Sequence, residues 1–130
     1  MFRPLDTRVV LLGIIALAIA TFDAPRASDP GTHAKAIAGG KVAVETGWVA
    51  AQTCWTFDGA TEGAPAGLVE PDATLPVTMR VKRSGDLCGQ ALTPVKARFE
   101  VADRPGAHAV MIYVVAGEKL MATQRTAIRR

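Results

Sequence analysis

Strict alternation of apolar and polar side chains in two segments most constrains what this chain can fold into. Val77, Met79 and Val81 are the apolar members of residues 77–82, and residues 95–101 repeat the same pattern. A period of two places the apolar side chains on one face of a β-strand, whereas an amphipathic helix needs a period near 3.6. The alternation therefore predicts two half-buried strands.

Turn-forming residues indicate where further strands begin and end. In the turn at 103–106, a proline fixes φ and the following glycine accepts a positive φ, so a strand is expected over residues 107–116. Glycine opens the two-residue turn at 117–118, which is typical of a type II′ hairpin. This hairpin predicts that Val115 lies opposite Leu120.

The segment before the alternating strands is less regular. Residues 42–57 are apolar and rich in β-branched and aromatic side chains, which predicts one or two strands broken at Gly47. Residues 58–76 hold six glycines and prolines and are expected to form a long loop. Short strands separated by frequent turns predict an all-β fold for residues 41–130, an antiparallel β-sandwich or a small barrel.

Residues 95–116 place a strand, a corner and a second strand in quick succession. The residues that carry this pattern are Phe99-x-Val101-x-Asp103-x-Pro105-Gly106, followed by His108-x-Val110-x-Ile112-x-Val114. The pattern resembles the corner of immunoglobulin-like and polycystic-kidney-disease-type β-sandwich modules. The resemblance implies an immunoglobulin-like sandwich with a binding role, and it implies no catalytic residues.

The N-terminus has the pattern of an export signal. Arg3 and Arg8 precede an apolar run over residues 9–20 that ends in the small-x-small sequence Ala-Ile-Ala. Twelve helical residues span about 18 Å, which is short of the roughly 30 Å hydrocarbon core of a bilayer. We therefore expect a signal helix over 1–20, with cleavage after Ala20 and retention as an uncleaved anchor as the alternative.

The expected mature protein is periplasmic or secreted and does not span the membrane. Residues 21–40 combine glycines and prolines with scattered polar residues and have no lasting apolar period, which predicts a flexible leader. The folded domain is expected over residues 41–130.

The chain has two cysteines, Cys54 and Cys88. An exported protein meets an oxidising compartment, where such a pair forms a lasting disulfide. A cross-link across this separation contributes about 4 kcal/mol to the free energy of unfolding in the loop-entropy model. A redox-active pair usually has the close spacing Cys-x-x-Cys, so the sequence favours a structural disulfide.

Composition argues against several chemical functions. Ser28 and Ser84 are the serines of the expected mature chain, and neither lies in a glycine-flanked nucleophile elbow, so no catalytic residue is assigned. The formal net charge is +3 and aromatic residues make up 5% of the chain. Few aromatics and an exported location argue against a nucleic-acid partner. No cofactor is expected.

Two surfaces are candidates for binding. A basic face on two strands is predicted to contact anionic lipid, polysaccharide or an acidic protein, with a plain solvated surface as the alternative. An apolar docking face is predicted because residues 107–116 are apolar on both sides, and a sandwich buries one side only. The surplus side is covered either by this protein itself or by another chain. The basic face comprises Arg80, Lys82, Lys96 and Arg98, and the docking face comprises Met111, Tyr113, Val115 and Leu120.

These observations predict an exported, periplasmic, non-enzymatic binding or accessory module that docks onto a protein or an envelope component. One alternative is a small copper-binding protein, because histidine and methionine are copper ligands. A further alternative is an unrecognised enzyme with a pocket between the loop at 58–76 and the strands of the basic face. The candidate copper ligands are His33, His108, Met79, Met111 and Met121.

Overall fold

A computed structural model describes residues 31–130, which form seven β-strands. No helix among these residues is long and apolar enough to cross a membrane. The predicted signal helix over 1–20, its cleavage site and residues 21–30 of the predicted leader lie outside the described residues. The strands are β1 (His33–Ile37), β2 (Lys41–Ala50), β3 (Trp55–Glu62), β4 (Thr74–Arg83), β5 (Thr93–Ala102), β6 (Ala109–Ala116) and β7 (Lys119–Arg129).

The strands form one sheet in the order β3-β4-β6-β7-β1-β2-β5. Strand β7 joins its two halves, because it pairs antiparallel with β6 and parallel with β1. Strands β4 and β6 also run parallel. The all-β prediction is confirmed. The two-layer, fully antiparallel, immunoglobulin-like arrangement is not confirmed, because the shared β7 makes the sheet continuous and two of its pairs are parallel.

The two edge strands of this sheet, β3 and β5, meet through side chains. Phe57 on β3 stacks on Phe99 on β5 with ring centroids 6.3 Å apart. The backbone N–H of Ala102 donates to Glu62 Oε2 at 3.4 Å. The sheet therefore curls into a nearly closed barrel, whose last seam is held by packing instead of a hydrogen-bonded ladder.

Alternate residues of each strand point into the barrel and form its core. On β4 these are Val77, Met79 and Val81, as the period of two predicted. On β6 they include Val110 and Ile112, both fully buried. The predicted 117–118 hairpin is also present, with Val115 opposite Leu120 and φ of +62° at its glycine.

The prediction of a flexible leader is wrong for residues 33–37. These residues form β1, and Ala34 pairs with Val44 of β2 and is buried in the core. Two glycines with positive φ, Gly39 and Gly40, turn the chain tightly between the strands. A short strand of alternating alanines is stable here because β2 and β7 flank it on both sides.

The predicted strand break and the predicted long loop also differ from the structure. Strand β2 continues through Gly47, and the chain reverses at residues 51–54 instead. Strand β3 extends to Glu62 because Gly59, with φ of +104°, lies at a bulge where the pairing with β4 shifts. The loop is therefore limited to residues 63–73.

Polar side chains join β2 to β7 beyond the point where β1 begins, because there no strand separates the two. Thr46 Oγ1 donates to Gln124 Oε1 at 2.5 Å, and Gln124 Nε2 donates to the Gly47 carbonyl at 2.6 Å. Thr126 Oγ1 donates to the Thr32 carbonyl at 3.2 Å. No buried side-chain nitrogen or oxygen of residues 31–130 lacks a hydrogen-bond partner, so the buried polar groups between β2 and β7 are all hydrogen-bonded.

Candidate functional site

The predicted disulfide is present. Cys54 and Cys88 are bonded with an S–S distance of 2.06 Å, and the described chain has no free cysteine. The bond ties the β2–β3 turn to the connection between β4 and β5 at residues 84–92. We call this part of the barrel, residues 50–54 and 84–93, the disulfide end.

Hydrogen bonds hold the same two segments together. The Thr53 N–H donates to the Gly89 carbonyl at 3.0 Å, and the Gly89 N–H donates to Thr53 Oγ1 at 2.8 Å. A Cβ atom at Gly89 would lie 3.1 Å from Thr53 Cγ2, so this close approach favours glycine. The Ser84 N–H also donates to the Cys54 carbonyl, at 2.8 Å. The loops of the disulfide end are therefore ordered by covalent and backbone contacts.

Large aliphatic side chains project into solvent at this end. Val49 is 59% exposed, Leu87 98% and Leu92 77%. In the β2–β5 ladder Val49 pairs with Pro94. Pro94 is two residues after Leu92, so the pairing brings the backbone of Val49 near that of Leu92. We call Val49, Leu87 and Leu92 the aliphatic tip. Sequence reasoning missed it, although bulky aliphatic residues in a glycine-containing connection beside a cysteine were the available signal.

Two tryptophans lie near the base of this end. Trp48 and Trp55 meet edge to face with ring centroids 5.6 Å apart, and both are half-buried against the core. Their contact arises because the chain reverses between them at residues 51–54. The pair packs against the core at this end of the barrel.

Much of the predicted docking face is buried. Tyr113 and Val115 are only 5% and 6% exposed although they point away from the core, and Met111 is half-buried. Tyr113 lies between Thr78 of β4 and a threonine of β7. Leu120, in the hairpin, is 41% exposed. Most of the area of this face is thus unavailable at the surface.

The predicted basic face is divided by β3, which lies between β4 and β5 around the barrel. On β4, Lys82 Nζ lies 3.5 Å from Asp58 Oδ1, and Arg80 donates to a threonine of β3 at 3.3 Å. On β5, Arg98 pairs with Glu45 at 3.1 Å. Lys96 takes part in none of the ion pairs among residues 31–130. Three of the four cations therefore already contact polar groups of this protein.

The candidate copper ligands are dispersed. Met79 is fully buried in the core, and Met121 packs against the core from β7. His33 lies on β1, whereas His108 follows the turn at 103–106. Residues 31–130 contain no cluster of three or more His, Cys, Asp or Glu side chains placed to hold a metal ion.

An ion pair organises the opposite end of the barrel. Arg130 donates to both carboxylate oxygens of Asp103, at 2.7 and 3.1 Å, and to the Ala107 carbonyl at 2.8 Å. Arg104 donates to the Thr74 carbonyl. The hydrogen bonds from Arg130 hold the pKa of Asp103 below its ordinary value, and the same contact raises the pKa of Arg130. We call this the ion-pair end.

A cleft of about 290 Å³ lies at the ion-pair end, lined in part by Glu62, Glu70 and Asp103. It borders the loop at 63–73 on the side of the 103–106 turn, away from Arg80 and Lys82 on β4. The carboxylate of Asp103 is held ionised by Arg130, which suits a structural ion pair better than proton transfer.

No protein family, curated protein or solved structure matches this chain. Among the described residues, the aliphatic tip exposes large apolar side chains from both β2 and the connection at 84–92. The aliphatic tip offers apolar contact area of the kind that protein interfaces bury.

Proposed function

We propose that this protein is an exported, non-enzymatic binding module that docks onto a partner protein through the aliphatic tip. The observation that carries the proposal is the high exposure of Leu87 and Leu92 on a connection held by a disulfide, with Val49 exposed near the end of β2. Exposed aliphatic side chains on ordered loops form the usual apolar centre of a protein interface.

Burial of the tip supplies the binding free energy. Removing one leucine side chain from water contributes about 1.5–3 kcal/mol. Leu87 and Leu92 both lie in the connection that Cys88 anchors, so little conformational entropy is lost when a partner covers them. Two leucines buried together therefore account for at least a hundredfold in affinity, about 3 kcal/mol.

Charges around the tip favour a protein partner over an anionic bilayer. Asp86 immediately precedes Leu87, and Arg83, of opposite charge, lies four residues before it. The β6–β7 turn lies at the same end, because β4 and β6 run parallel, and it adds Glu118 beside Lys119. Anionic headgroups would require an excess of cations here, whereas mixed charges suit the polar rim of a protein interface.

The compartment is part of the proposal. A disulfide that joins the two cysteines of the chain supports an oxidising location, which agrees with the export signal expected over residues 1–20. Periplasmic or secreted partners are therefore the candidates.

Chemical cross-linking in intact cells tests the proposal with matched variants. The protein is compared with Leu87→Ser/Leu92→Ser and with the control Val69→Ser, whose side chain is 90% exposed in the loop at 63–73, at the ion-pair end. We expect one adduct of defined mass in the wild type and the control. Its yield should fall at least tenfold in the double variant.

Two outcomes would overturn the proposal. Equal adduct yields from all three proteins would show that the partner binds elsewhere. Absence of any tip-dependent adduct, combined with flotation of the wild type on vesicles of anionic phospholipid, would replace the protein partner with a lipid surface.

A further inference from the structure

We propose that Cys54–Cys88 is also a thiol–disulfide exchange site, in which Arg83 stabilises Cys88 as the departing thiolate. Arg83 Nε lies 3.3 Å from Cys88 Sγ. A second contact, from Arg83 Nη2 to the Asp86 carbonyl at 3.3 Å, orients the guanidinium toward the sulfur. None of the ion pairs among residues 31–130 involves Arg83.

The two sulfurs have different surroundings. Cys54 Sγ lies 3.4 Å from the Leu87 carbonyl oxygen, whose partial negative charge disfavours a thiolate. Cys88 Sγ has a carbonyl at a longer distance, 3.7 Å from Gly85, and has the guanidinium nearer. A neighbouring cation stabilises a thiolate, and the more stable thiolate leaves faster in exchange. This asymmetry directs an incoming thiolate to Cys54.

The reaction needs an external dithiol reductant. Its thiolate attacks Cys54 Sγ, forming a mixed disulfide while the Cys54–Cys88 bond breaks and its electron pair leaves on Cys88. The second thiol of the reductant loses its proton to solvent and attacks the mixed disulfide, releasing Cys54 as a thiolate that solvent protonates. The reductant becomes a disulfide, and the cysteine pair gains two electrons.

The position of the disulfide lets a reductant reach it and determines which segment is released by reduction. Both cysteines are half-exposed, and neither lies inside a strand. After reduction, the connection at 84–92 keeps the Thr53–Gly89 and Ser84–Cys54 hydrogen bonds but loses its covalent anchor. Exchange would then reduce the order of Leu87 and Leu92. This regulatory consequence rests on the proposed docking function, whereas the exchange reaction itself does not.

The rate of reduction of the folded protein by dithiothreitol tests the exchange site. Arg83→Met should slow reduction about threefold, because without the cation Cys88 is a less stable thiolate and leaves more slowly. Arg83→Lys, which keeps the charge, should recover part of the rate. The control Arg80→Met removes a cation from the same strand, away from the sulfur, and should leave the rate unchanged.

A second measurement is which cysteine carries glutathione in the mixed disulfide, read by mass spectrometry. A merely structural role of Arg83 would not favour one cysteine over the other. We expect the adduct on Cys54. An unchanged rate in Arg83→Met, or an adduct mainly on Cys88, would overturn the exchange proposal. The Leu87→Ser/Leu92→Ser variant should be reduced at the wild-type rate, so failure of the docking proposal and failure of this one are separate observations.

Discussion

The two ends of the barrel hold their loops in different ways. At the disulfide end the contacts are a covalent bond and hydrogen bonds among residues 53, 54, 84 and 89. At the ion-pair end, Asp103, Arg104 and Arg130 hold the chain with their own side chains. Large apolar side chains stand in solvent at both ends, Leu87 next to the disulfide and Val69 in the loop at 63–73, so the kind of tie does not by itself decide whether such a side chain is exposed.

The largest expected effect tests the covalent tie. Cys54→Ser/Cys88→Ser should lower the free energy of unfolding by about 4 kcal/mol, because the unfolded chain regains the entropy of a loop spanning 34 residues. Urea unfolding of wild type and variant at the same pH measures the difference. A loss below about 1 kcal/mol would show that the hydrogen bonds alone order this end.

A buried residue in the middle of the barrel gives a reference for the stability effects expected at the two ends. Tyr113→Ala should cost about 3 kcal/mol, because it removes a buried aromatic ring between β4 and β7. The hairpin control Leu120→Ala should stay within about 1 kcal/mol, since that side chain is 41% exposed. Similar urea midpoints for the two variants would mean that the outer face of β6 contributes little to stability and is free for a partner.

A smaller effect is expected at the ion-pair end, and it should depend on pH. Asp103→Asn should lower stability at neutral pH because it removes a carboxylate that binds Arg130. The folded pKa of Asp103 lies below its ordinary value of 3.8, so its contribution is complete above that value and disappears as the pH falls through the folded pKa. Urea unfolding at several pH values should show the two curves converging in acid. A constant difference at every pH would exclude this carboxylate as the cause.

The smallest effect is expected from the exposed aliphatic side chains themselves. Leu87→Ser and Val69→Ser should each change the free energy of unfolding by less than about 0.5 kcal/mol, because neither side chain is buried. Thermal unfolding of both variants beside the wild type checks this. A large loss for Leu87→Ser would mean that its side chain packs within the fold, which would remove it from the aliphatic tip.

Sequence reasoning succeeded where the determining contacts are local. Alternation of apolar residues located β4 and β5, because a strand with one buried face needs that pattern. A glycine that accepts positive φ located the 117–118 hairpin. These features depend on neighbours within a few residues, so they can be inferred from the chain alone.

The same reasoning failed where distant segments decide the structure. Strand β1 has a weak pattern of alanines and is held by β2 on one side and β7 on the other. A glycine such as Gly47 is typical of a strand break, yet β2 continues through it and its carbonyl accepts a hydrogen bond from the side chain of Gln124. The aliphatic tip was missed because burial of Leu87 or Leu92 is a property of the assembled loops.

The sequence by itself determined an all-β domain, its alternating strands, its final hairpin and the identity of the disulfide, because backbone periodicity, glycine conformations and a single pair of cysteines leave few alternatives. Tertiary structure alone decided that the sheet is continuous and nearly closed, that the outer face of β6 is covered, and that three aliphatic side chains stand in solvent beside the disulfide. The physical reason is that strand pairing and burial depend on contacts between residues far apart in the chain, and local preferences do not encode those contacts.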